Sequence, residues 1–127
     1  MTERPARIDE LLQEVRAGLP PRPDAAALPS LLARGVLVVD IRSLELRARD
    51  GALAGALVID RNVLEWRLDP TSPDRIPEAS DIDREIVLVC NEGYASSIAA
   101  ASLQRLGLRR ATDLDGGFQA VVADRLR

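Results

Sequence analysis

The fold is decided by residues 86–106, which read Ile-Val-Leu-Val-Cys-Asn-Glu-Gly-Tyr-Ala-Ser-Ser over 86–97 and continue into an alanine- and leucine-rich run. The opening residues are aliphatic and mostly β-branched, a pattern that is typical of a fully buried parallel strand. From Ala95 onward the apolar residues recur at helical spacing, and Gly107 stands where a helix is expected to end. The stretch therefore predicts a strand, a tight loop and a helix. The stripe of this helix predicted to face the core is Ala99, Leu103 and Leu106.

Cys90, the only cysteine of the chain, lies between that strand and that helix. A strand that enters a helix through a tight, glycine-containing loop directs successive backbone N–H groups to one point, and the helix dipole adds partial positive charge behind them. These groups favour a thiolate and can bind an anion attached to its sulfur. A lone cysteine after an apolar strand is more often a buried small hydrophobic residue. The loop glycine, Gly93, and the helix that follows favour a functional thiol instead.

The composition excludes several other kinds of site. The 127 residues carry a net charge of −3 and show no basic stripe, so nucleic acid is not an expected partner. The chain has no histidine and one cysteine, which excludes a histidine general base, a histidine metal site, an intrachain disulfide and a Cys-x-x-Cys pair. We expect neither a metal nor a cofactor. No run approaches the ~20 apolar residues of a membrane span and no signal peptide is evident, so we expect a cytoplasmic protein with no membrane partner.

Residues 1–23 are predicted to form a helix and a proline-rich linker that pack on the domain. The helix is amphipathic, Gly18 suggests its end, and Pro20-Pro21-Arg22-Pro23 cannot continue it. Residues 24–127 are then expected to form a single domain. The apolar stripe of the helix consists of Ile8, Leu11, Leu12, Val15 and Leu19. Such a stripe suits packing on this domain as well as on a partner protein, and the sequence leaves both open.

Strands alternate with helices along the rest of the chain. Besides 86–89, strands are predicted at 36–39, 56–59 and 109–114, with helical segments between them. This alternation favours an α/β fold with a mainly parallel sheet and helices on both faces. The functional crevice of such a sheet lies beyond the carboxyl ends of its strands. The charged or reactive residues predicted at these ends are Asp40, Asp60, Cys90 and Asp115.

The order of four motifs resembles the rhodanese-like (sulfurtransferase) domain family. The motifs are a strand that ends in Asp-x-Arg (37–42), a small-residue Gly-Ala-Leu-Ala-Gly-Ala turn (51–56), a Cys-x-x-Gly-x-x-Ser loop (87–97) and a closing Leu-Asp-Gly-Gly-Phe turn (114–118). Each motif alone is weak, but their order and spacing together are specific. The resemblance covers residues 24–125 and implies a mainly parallel sheet of four to five strands. The paired glycines are expected to serve turn geometry alone.

This resemblance implies an enzyme that takes sulfane sulfur from a donor such as thiosulfate or a persulfide. The acceptor would be cyanide, a thiol or a protein. Cys90 would be the nucleophile and would carry the sulfur as a persulfide. A persulfide is an anion whose terminal sulfur needs N–H donors, and the loop after Cys90 supplies them without a histidine. The residues expected to bind the substrate are Asn91, Glu92, Gly93, Tyr94, Ala95 and Ser96.

Three positions depart from the family pattern. Ala95 stands where the loop often carries an arginine, the planar group best suited to an oxyanion such as thiosulfate. Glu92 places a carboxylate inside the loop, where it should repel a dianionic donor and oppose the helix dipole. Thiosulfate is then expected to be a weak donor, unless Arg61, just past a strand end, replaces the missing charge in the substrate site. Ala52 stands in place of a histidine of the turn and is expected to remove a structural contact only.

Two other functions remain open. The chain could be a non-catalytic module that binds a partner or senses sulfur or oxidants. Ala95 and Glu92 are the residues that favour this alternative. The related cysteine phosphatases and arsenate reductases share the fold, but they need a longer loop and an arginine six residues after the cysteine, where Ser96 stands. In every case Asp40 and Arg42 are expected to form a buried structural ion pair near the loop rather than a catalytic pair.

Overall fold

Four strands form a parallel sheet in the computed structural model, which describes residues 4–126. They are β1 (Leu37–Asp40), β2 (Leu57–Val58), β3 (Ile86–Val89) and β4 (Ala111–Asp113). Their order across the sheet is β2, β1, β3, β4, and every neighbouring pair is parallel. This arrangement confirms the predicted α/β class, with a sheet at the lower end of the predicted strand number.

Six helices connect and flank the strands of the described chain. They are α1 (Arg7–Ala17), α2 (Leu28–Ala33), α3 (Leu44–Asp50), α4 (Leu64–Leu68), α5 (Ala95–Arg105) and α6 (Gly117–Arg125). Pro29 lies in the first turn of α2, where a missing N–H costs no hydrogen bond. At the start of α3, the Ser43 hydroxyl accepts a hydrogen bond from the backbone N–H of Leu46. Short 3₁₀ turns occur at Ala25–Ala27, Arg61–Val63 and Pro77–Ala79.

Helices cover both faces of the sheet because successive strand residues point to opposite faces. In β1, Leu37 and Val39 belong to one core cluster, whereas Val38 belongs to the other. The first cluster takes buried residues from α4 and α5, and the second takes them from α2 and α6. The helix residues that contribute to the two clusters include Leu64, Leu68, Ala99 and Leu103 in the first, and Leu28, Leu31, Phe118 and Val121 in the second.

Helix α1 packs on α5 and buries only part of its apolar stripe. Leu12 is buried and Leu19, just past the helix, packs against the core. Ile8 and Leu11 are 56% and 42% exposed. The predicted stripe is therefore divided between contact with the domain and contact with solvent.

The proline-rich stretch after α1 is fixed to the sheet. The Thr112 hydroxyl donates a hydrogen bond of 3.0 Å to the Pro20 carbonyl, and the Asp115 N–H donates one of 2.9 Å to the Pro23 carbonyl. Both partners lie in or next to β4. These contacts hold the backbone of the stretch along the edge of the sheet, where it brings Arg22 close to the strand ends.

Some predicted boundaries and core positions are wrong. Leu106 lies past the end of α5 and is 41% exposed, so it does not extend the core stripe. The strand predicted at 56–59 is reduced to Leu57–Val58, because it is an edge strand whose two residues are both exposed. Within residues 4–126, no helix has the length and apolar character required to cross a bilayer.

Candidate functional site

Cys90 lies at the carboxyl edge of the sheet, directly after β3. The backbone N–H groups of Gly93 and Ser96 point at its sulfur, with N···Sγ distances of 3.1 and 3.3 Å. Gly93 has φ +87°, a conformation that favours glycine. Because α5 begins at Ala95, its dipole also directs partial positive charge toward the sulfur. Of the loop N–H groups predicted to surround the sulfur, the structure therefore directs those of Gly93 and Ser96 at Cys90.

The closing Gly-Gly turn packs directly against this loop. The backbone N–H groups of Phe118 and Gln119, in the first turn of α6, donate to the carbonyls of Cys90 and Asn91 at 2.9 and 3.0 Å. A Cβ atom at Gly117 would lie 2.6 Å from the Cys90 carbonyl oxygen. The role of this glycine is thus larger than the predicted turn geometry, because it allows two backbone segments to approach closely.

A buried chain of hydrogen bonds leads from the sulfur to a carboxylate. The Cys90 thiol donates to the Ser96 hydroxyl oxygen at 3.1 Å, and that hydroxyl donates to Asp113 Oδ2 at 2.7 Å. The hydroxyl of Ser97 donates to the same carboxylate oxygen at 2.8 Å. Asp113 is fully buried at the end of β4. The cysteine is therefore connected to a buried negative charge on the side of the loop that faces the sheet.

Asp113 was not among the residues predicted from the sequence. The rule that selects polar residues at strand ends chose Asp115 instead, because the last strand was expected to continue to Leu114. The actual strand ends at Asp113, and the exposed side chain of Asp115 contacts Arg22 at 3.3 Å. The predicted end of the last strand was thus one residue too late, and the polar residue at the strand end was taken to be Asp115 instead of Asp113.

Arg22 binds the buried carboxylate from the proline-rich stretch. Its Nε donates to Asp113 Oδ1 at 2.7 Å and its Nη2 to Oδ2 at 3.2 Å. Burial of the guanidinium opposes its charge, but the hydrogen bond and the negative charge of Asp113 outweigh burial and raise the pKa of Arg22. The same Nη2 lies 3.2 Å from the Gly93 carbonyl oxygen. This arginine therefore contacts both the carboxylate and the cysteine loop.

Arg16, in the last turn of α1, contacts the loop from the same side. Its Nη2 donates to the Gly93 carbonyl at 2.7 Å and its Nε to the Ser97 hydroxyl at 3.0 Å. The guanidinium carbon lies 5.9 Å from the ring centre of Tyr94. Neither arginine was predicted to belong to the site, because both lie more than 60 residues from the cysteine and outside any recognised motif.

On its other side, the sulfur faces a cavity of about 290 Å³. A larger cavity, of about 510 Å³, is lined by the proline-rich stretch, including Arg22, and by residues such as Glu85 and Arg110, and does not include the cysteine. We assign the smaller cavity as the candidate substrate site because it alone of the two contains a reactive group. Its lining residues are Ile41, Arg42, Ser43, Leu46, Arg61, Cys90, Asn91, Glu92, Tyr94 and Ala95.

Arg61 lines this cavity, but a carboxylate already binds its guanidinium. Its Nη1 donates to both oxygens of Glu65, at 2.9 and 3.0 Å, and the hydroxyl of Ser102 donates to Glu65 at 2.6 Å. Partial burial opposes ionisation of Glu65, but the bond from Ser102 and the charge of Arg61 outweigh burial and lower its pKa. The positive charge that Arg61 offers to the cavity is therefore largely compensated.

Arg42 is also paired. Its side chain is 0% exposed and lies 2.8 Å from Asp40 and 2.8 Å from the Gly51 carbonyl. The guanidinium stacks on the ring of Phe118 at 3.7 Å, a contact that helps to compensate its buried Nη1, which has no hydrogen-bond partner among the described residues. Of the pair, Arg42 lines the cavity that contains the cysteine.

The model of the rhodanese-like domain family matches residues 24–124. A thiosulfate sulfurtransferase GlpE of Stutzerimonas stutzeri is 34% identical over 85 residues, which are 67% of this chain and 69% of the relative. GlpE of Pseudomonas fluorescens is 32% identical over 91 residues, or 71% of this chain and 73% of that protein.

Solved structures give the same fold. A protein of unknown function from Rhodopseudomonas palustris, RPA3614, described as a possible tyrosine phosphatase, superposes with a TM-score of 0.83 at 30% identity over 98% of this chain and 96% of its own. The human single-domain sulfurtransferase TSTD1 superposes with a TM-score of 0.66 at 26% identity, over 82% of this chain and 96% of that one. Both similarities span nearly the whole of the neighbouring chain.

Proposed function

The chain belongs to the rhodanese-like domain family, and on that basis we propose that it is a sulfurtransferase in which Cys90 carries sulfane sulfur as a persulfide. The observation that supports this role most directly is the pair of N–H groups, from Gly93 and Ser96, directed at the cysteine sulfur. A cysteine that served only as a buried hydrophobic residue would not need such donors. The sulfur also faces a cavity of about 290 Å³, large enough for a small donor.

The transfer consists of two displacements at sulfur. The Cys90 thiolate attacks the sulfane sulfur of the donor and forms an S–S bond, while the old bond to that sulfur breaks and its electron pair leaves with the rest of the donor. The acceptor then attacks the terminal sulfur, and the electron pair of the S–S bond returns to Cys90. Negative charge lies on sulfur before and after each displacement, so the preorganised N–H groups of the loop stabilise it throughout.

The remaining predicted residues divide into binding and supporting groups. Gly93 and Ser96 supply the backbone N–H donors to the sulfur, and Tyr94 and Ala95 line the cavity. Asp40 and Arg42 form a supporting ion pair and do not react.

The charges around the cavity favour a donor other than a dianion. Arg42 and Arg61 are both bound to carboxylates, and the exposed carboxylate of Glu92 stands at the mouth. Aliphatic side chains form much of the wall, among them Ile41 and Leu46. We infer that a small organic persulfide is a better donor than thiosulfate, although thiosulfate is the substrate in the names of the relatives. The acceptor would be a small thiol, cyanide or a protein thiol.

Intact-mass spectrometry tests this function. The purified protein is measured before and after incubation with thiosulfate or with a low-molecular-weight organic persulfide, and again after cyanide. We expect a gain of one sulfur atom that cyanide reverses and that Cys90→Ser lacks, with the organic persulfide loading faster. If no donor loaded the wild-type chain, the proposal would be rejected and a binding or sensing module would be favoured. The charge of Glu92 and the lack of a loop arginine support that alternative.

A phosphatase is the second candidate because a close structural neighbour is described as a possible tyrosine phosphatase. That chemistry needs an arginine six residues after the cysteine to bind phosphoryl oxygens. Ser96 occupies this position, is fully buried and donates its hydroxyl proton to Asp113 rather than to the cavity. We therefore expect no hydrolysis of p-nitrophenyl phosphate, and a hydrolysis rate that Cys90→Ser abolishes would overturn this expectation.

A further inference from the structure

We propose that Arg16 and Arg22 are positioning residues that hold the Cys90 loop in the geometry needed for sulfur transfer. Both belong to the segment before residue 24, where the match to the family model begins. The active loop of this chain would therefore be completed by a part of the molecule that lies outside the family domain. The inference rests on the proposed sulfurtransferase function, but its structural half can be tested separately.

Gly93 is the residue through which Arg16 acts. Its N–H points forward to the cysteine sulfur, while its carbonyl points backward and accepts bonds from Arg16 at 2.7 Å and Arg22 at 3.2 Å. Glycine has more conformational freedom than any other residue, and here its φ is +87°. Bonds on both sides fix its two peptide groups, so the guanidinium groups hold the N–H in the direction of the sulfur.

Arg22 acts through the buried carboxylate. Asp113 is 0% exposed and accepts hydrogen bonds from the hydroxyl groups of Ser96 and Ser97. Ser96 also directs its backbone N–H at the cysteine sulfur. A buried carboxylate is strongly destabilised unless a positive charge binds it, and the two hydrogen bonds from Arg22 meet this need. Arg22 thereby compensates the charge of the Asp113 carboxylate, which accepts the hydroxyl proton of Ser96.

Arg22 is paired with a carboxylate, whereas the hydrogen-bond partners of Arg16 among the described residues are uncharged. Its bonds among the described residues go to the Gly93 carbonyl and the Ser97 hydroxyl, which are neutral groups. Its positive charge is thus not bound to a carboxylate there. Arg16 does not line the cavity, so it influences the sulfur without touching the donor.

Kinetics of Arg16→Ala, Arg16→Lys and Arg22→Lys test the proposal, with Arg7→Ala as the control. Arg7 is exposed on the same helix. We expect Arg16→Ala to lower kcat by about tenfold while KM for the donor stays within about twofold, because a mispositioned donor group affects the reaction more than ground-state binding. Arg16→Lys should recover part of the loss, because an ammonium can still donate to the Gly93 carbonyl. Arg22→Lys keeps a positive charge beside Asp113, so this variant should fold. A variant that removes the charge at this position should not fold.

Amide hydrogen exchange at Gly93 and Ser96, followed by NMR, supplies a readout that does not depend on activity. Exchange of both amides should be faster in Arg16→Ala and unchanged in Arg7→Ala. Wild-type kcat together with wild-type exchange in Arg16→Ala would overturn the proposal. If the wild-type chain accepts no sulfur at all, the proposed function fails, and the exchange rates alone then decide whether the arginines hold the loop.

Discussion

Ser96 is the residue that connects the cysteine sulfur to the buried charge. Its N–H and its hydroxyl oxygen both lie within 3.3 Å of Sγ, and its hydroxyl proton is donated to Asp113. Ser97 provides a matched comparison, since its hydroxyl binds the same carboxylate oxygen but is not hydrogen-bonded to the sulfur. The two serines thus separate the support of the carboxylate from contact with the reacting atom.

We predict that Ser96→Ala and Ser97→Ala each lower the free energy of unfolding by about 1–3 kcal/mol, because each removes a hydrogen bond to a buried charged group. Ser96→Ala should also slow persulfide formation by about tenfold, and by more than Ser97→Ala, since only the Ser96 hydroxyl contacts the sulfur. Urea unfolding and single-turnover loading measure the two effects. Equal rates of loading in the two variants would show that the contact with Sγ has no part in the transfer.

Glu92 lines the cavity with an exposed carboxylate, and we expect it to influence the choice of donor. We predict that Glu92→Gln raises kcat/KM for thiosulfate by about fivefold at low ionic strength, which corresponds to roughly 1 kcal/mol of repulsion between charges close to solvent. The increase should shrink as salt is added, because exposed charges are screened. An uncharged organic donor is the control, and its rate should stay the same. If neither the substitution nor added salt changed kcat/KM for thiosulfate, Glu92 would have no role in the choice of donor.

At the residue scale, the sequence predicted the groups that are local to the cysteine. Strand, glycine loop and helix are neighbours along the chain, so their N–H donors could be located by spacing alone. Asp113, Arg16 and Arg22 reach the loop through tertiary contacts, and no periodicity relates a residue in the first helix to a loop more than 70 positions later. Compatible charges in a sequence do not indicate which of its 17 arginines meets which of its 20 carboxylates.

Among the elements, the start of α6 and the cysteine loop form one unit. Gly117 has φ +62°, and its Cα lies so close to the loop that a Cβ atom would be 2.6 Å from the Cys90 carbonyl oxygen and 2.7 Å from Gly93 N. Gly18 makes a suitable control, because its φ is −93° and the nearest atom to a Cβ there would be at 3.7 Å.

We predict that Gly117→Ala lowers the free energy of unfolding by more than about 2 kcal/mol and strongly reduces sulfur loading, because the added methyl group displaces the loop backbone. Gly18→Ala should change stability by less than about 0.5 kcal/mol. Denaturant unfolding and intact-mass loading measure both variants. A stable and active Gly117→Ala would mean that the two elements can separate without loss of the site.

Helices α4 and α5 are linked by Glu65, which binds Arg61 and Ser102. Because its pKa is lowered in the folded state, Glu65 contributes stability that is present above its ordinary value of 4.5 and is lost as the pH falls through the lower, folded-state value. We predict that Glu65→Gln is less stable than wild type by about 1 kcal/mol at pH 7 and that the difference disappears on acidification. Urea unfolding at several pH values tests this, with Glu14→Gln on the exposed face of α1 as control. A difference that persists below pH 3 would have to come from packing rather than charge.

The elements themselves were predicted with uneven success for physical reasons. β3 has the predicted bounds because both of its faces are buried, and a continuous aliphatic run then has one interpretation. The length of β2 was overestimated, because an edge strand pairs with one neighbour only and ends where that pairing ends. The sequence of β2 does not show where the pairing stops. Leu106 fits the helical period but lies beyond the last turn of α5, where no element covers it.

For the whole molecule, the carboxyl edge of the sheet collects Asp40, Cys90 and Asp113 from three neighbouring strands. The cavity lies on one side of the cysteine loop, and α1 with the proline-rich stretch lies on the other. The alternation of strands and helices predicted this edge as the functional one. The N-terminal segment was predicted to pack on the domain, but not at which place, because Ile8 and Leu11 of its apolar stripe face solvent and two arginines make the contacts with the loop.

The segment before Asp24 is also expected to stabilise the fold. A chain that begins at Asp24 would lose the packing of Leu12 and Leu19 and the partner of the buried Asp113 carboxylate. Because an unpaired buried charge alone costs about 3–5 kcal/mol, we expect the midpoint of urea unfolding to fall sharply or the shortened chain to remain unfolded at neutral pH.

The matched control removes only the residues before Ala6, whose carbonyl accepts the first hydrogen bonds of α1, and should leave the midpoint unchanged because Arg4 and Pro5 are exposed. In the intact chain, a tryptophan-fluorescence transition at Trp66 and the loss of far-ultraviolet circular dichroism should coincide, since α1 and the domain unfold together. If the chain that begins at Asp24 kept the full stability of the intact protein, the contacts of Arg16 and Arg22 would have to be too weak to hold the loop, and the exposed half of the α1 stripe would be better explained as a surface for another protein.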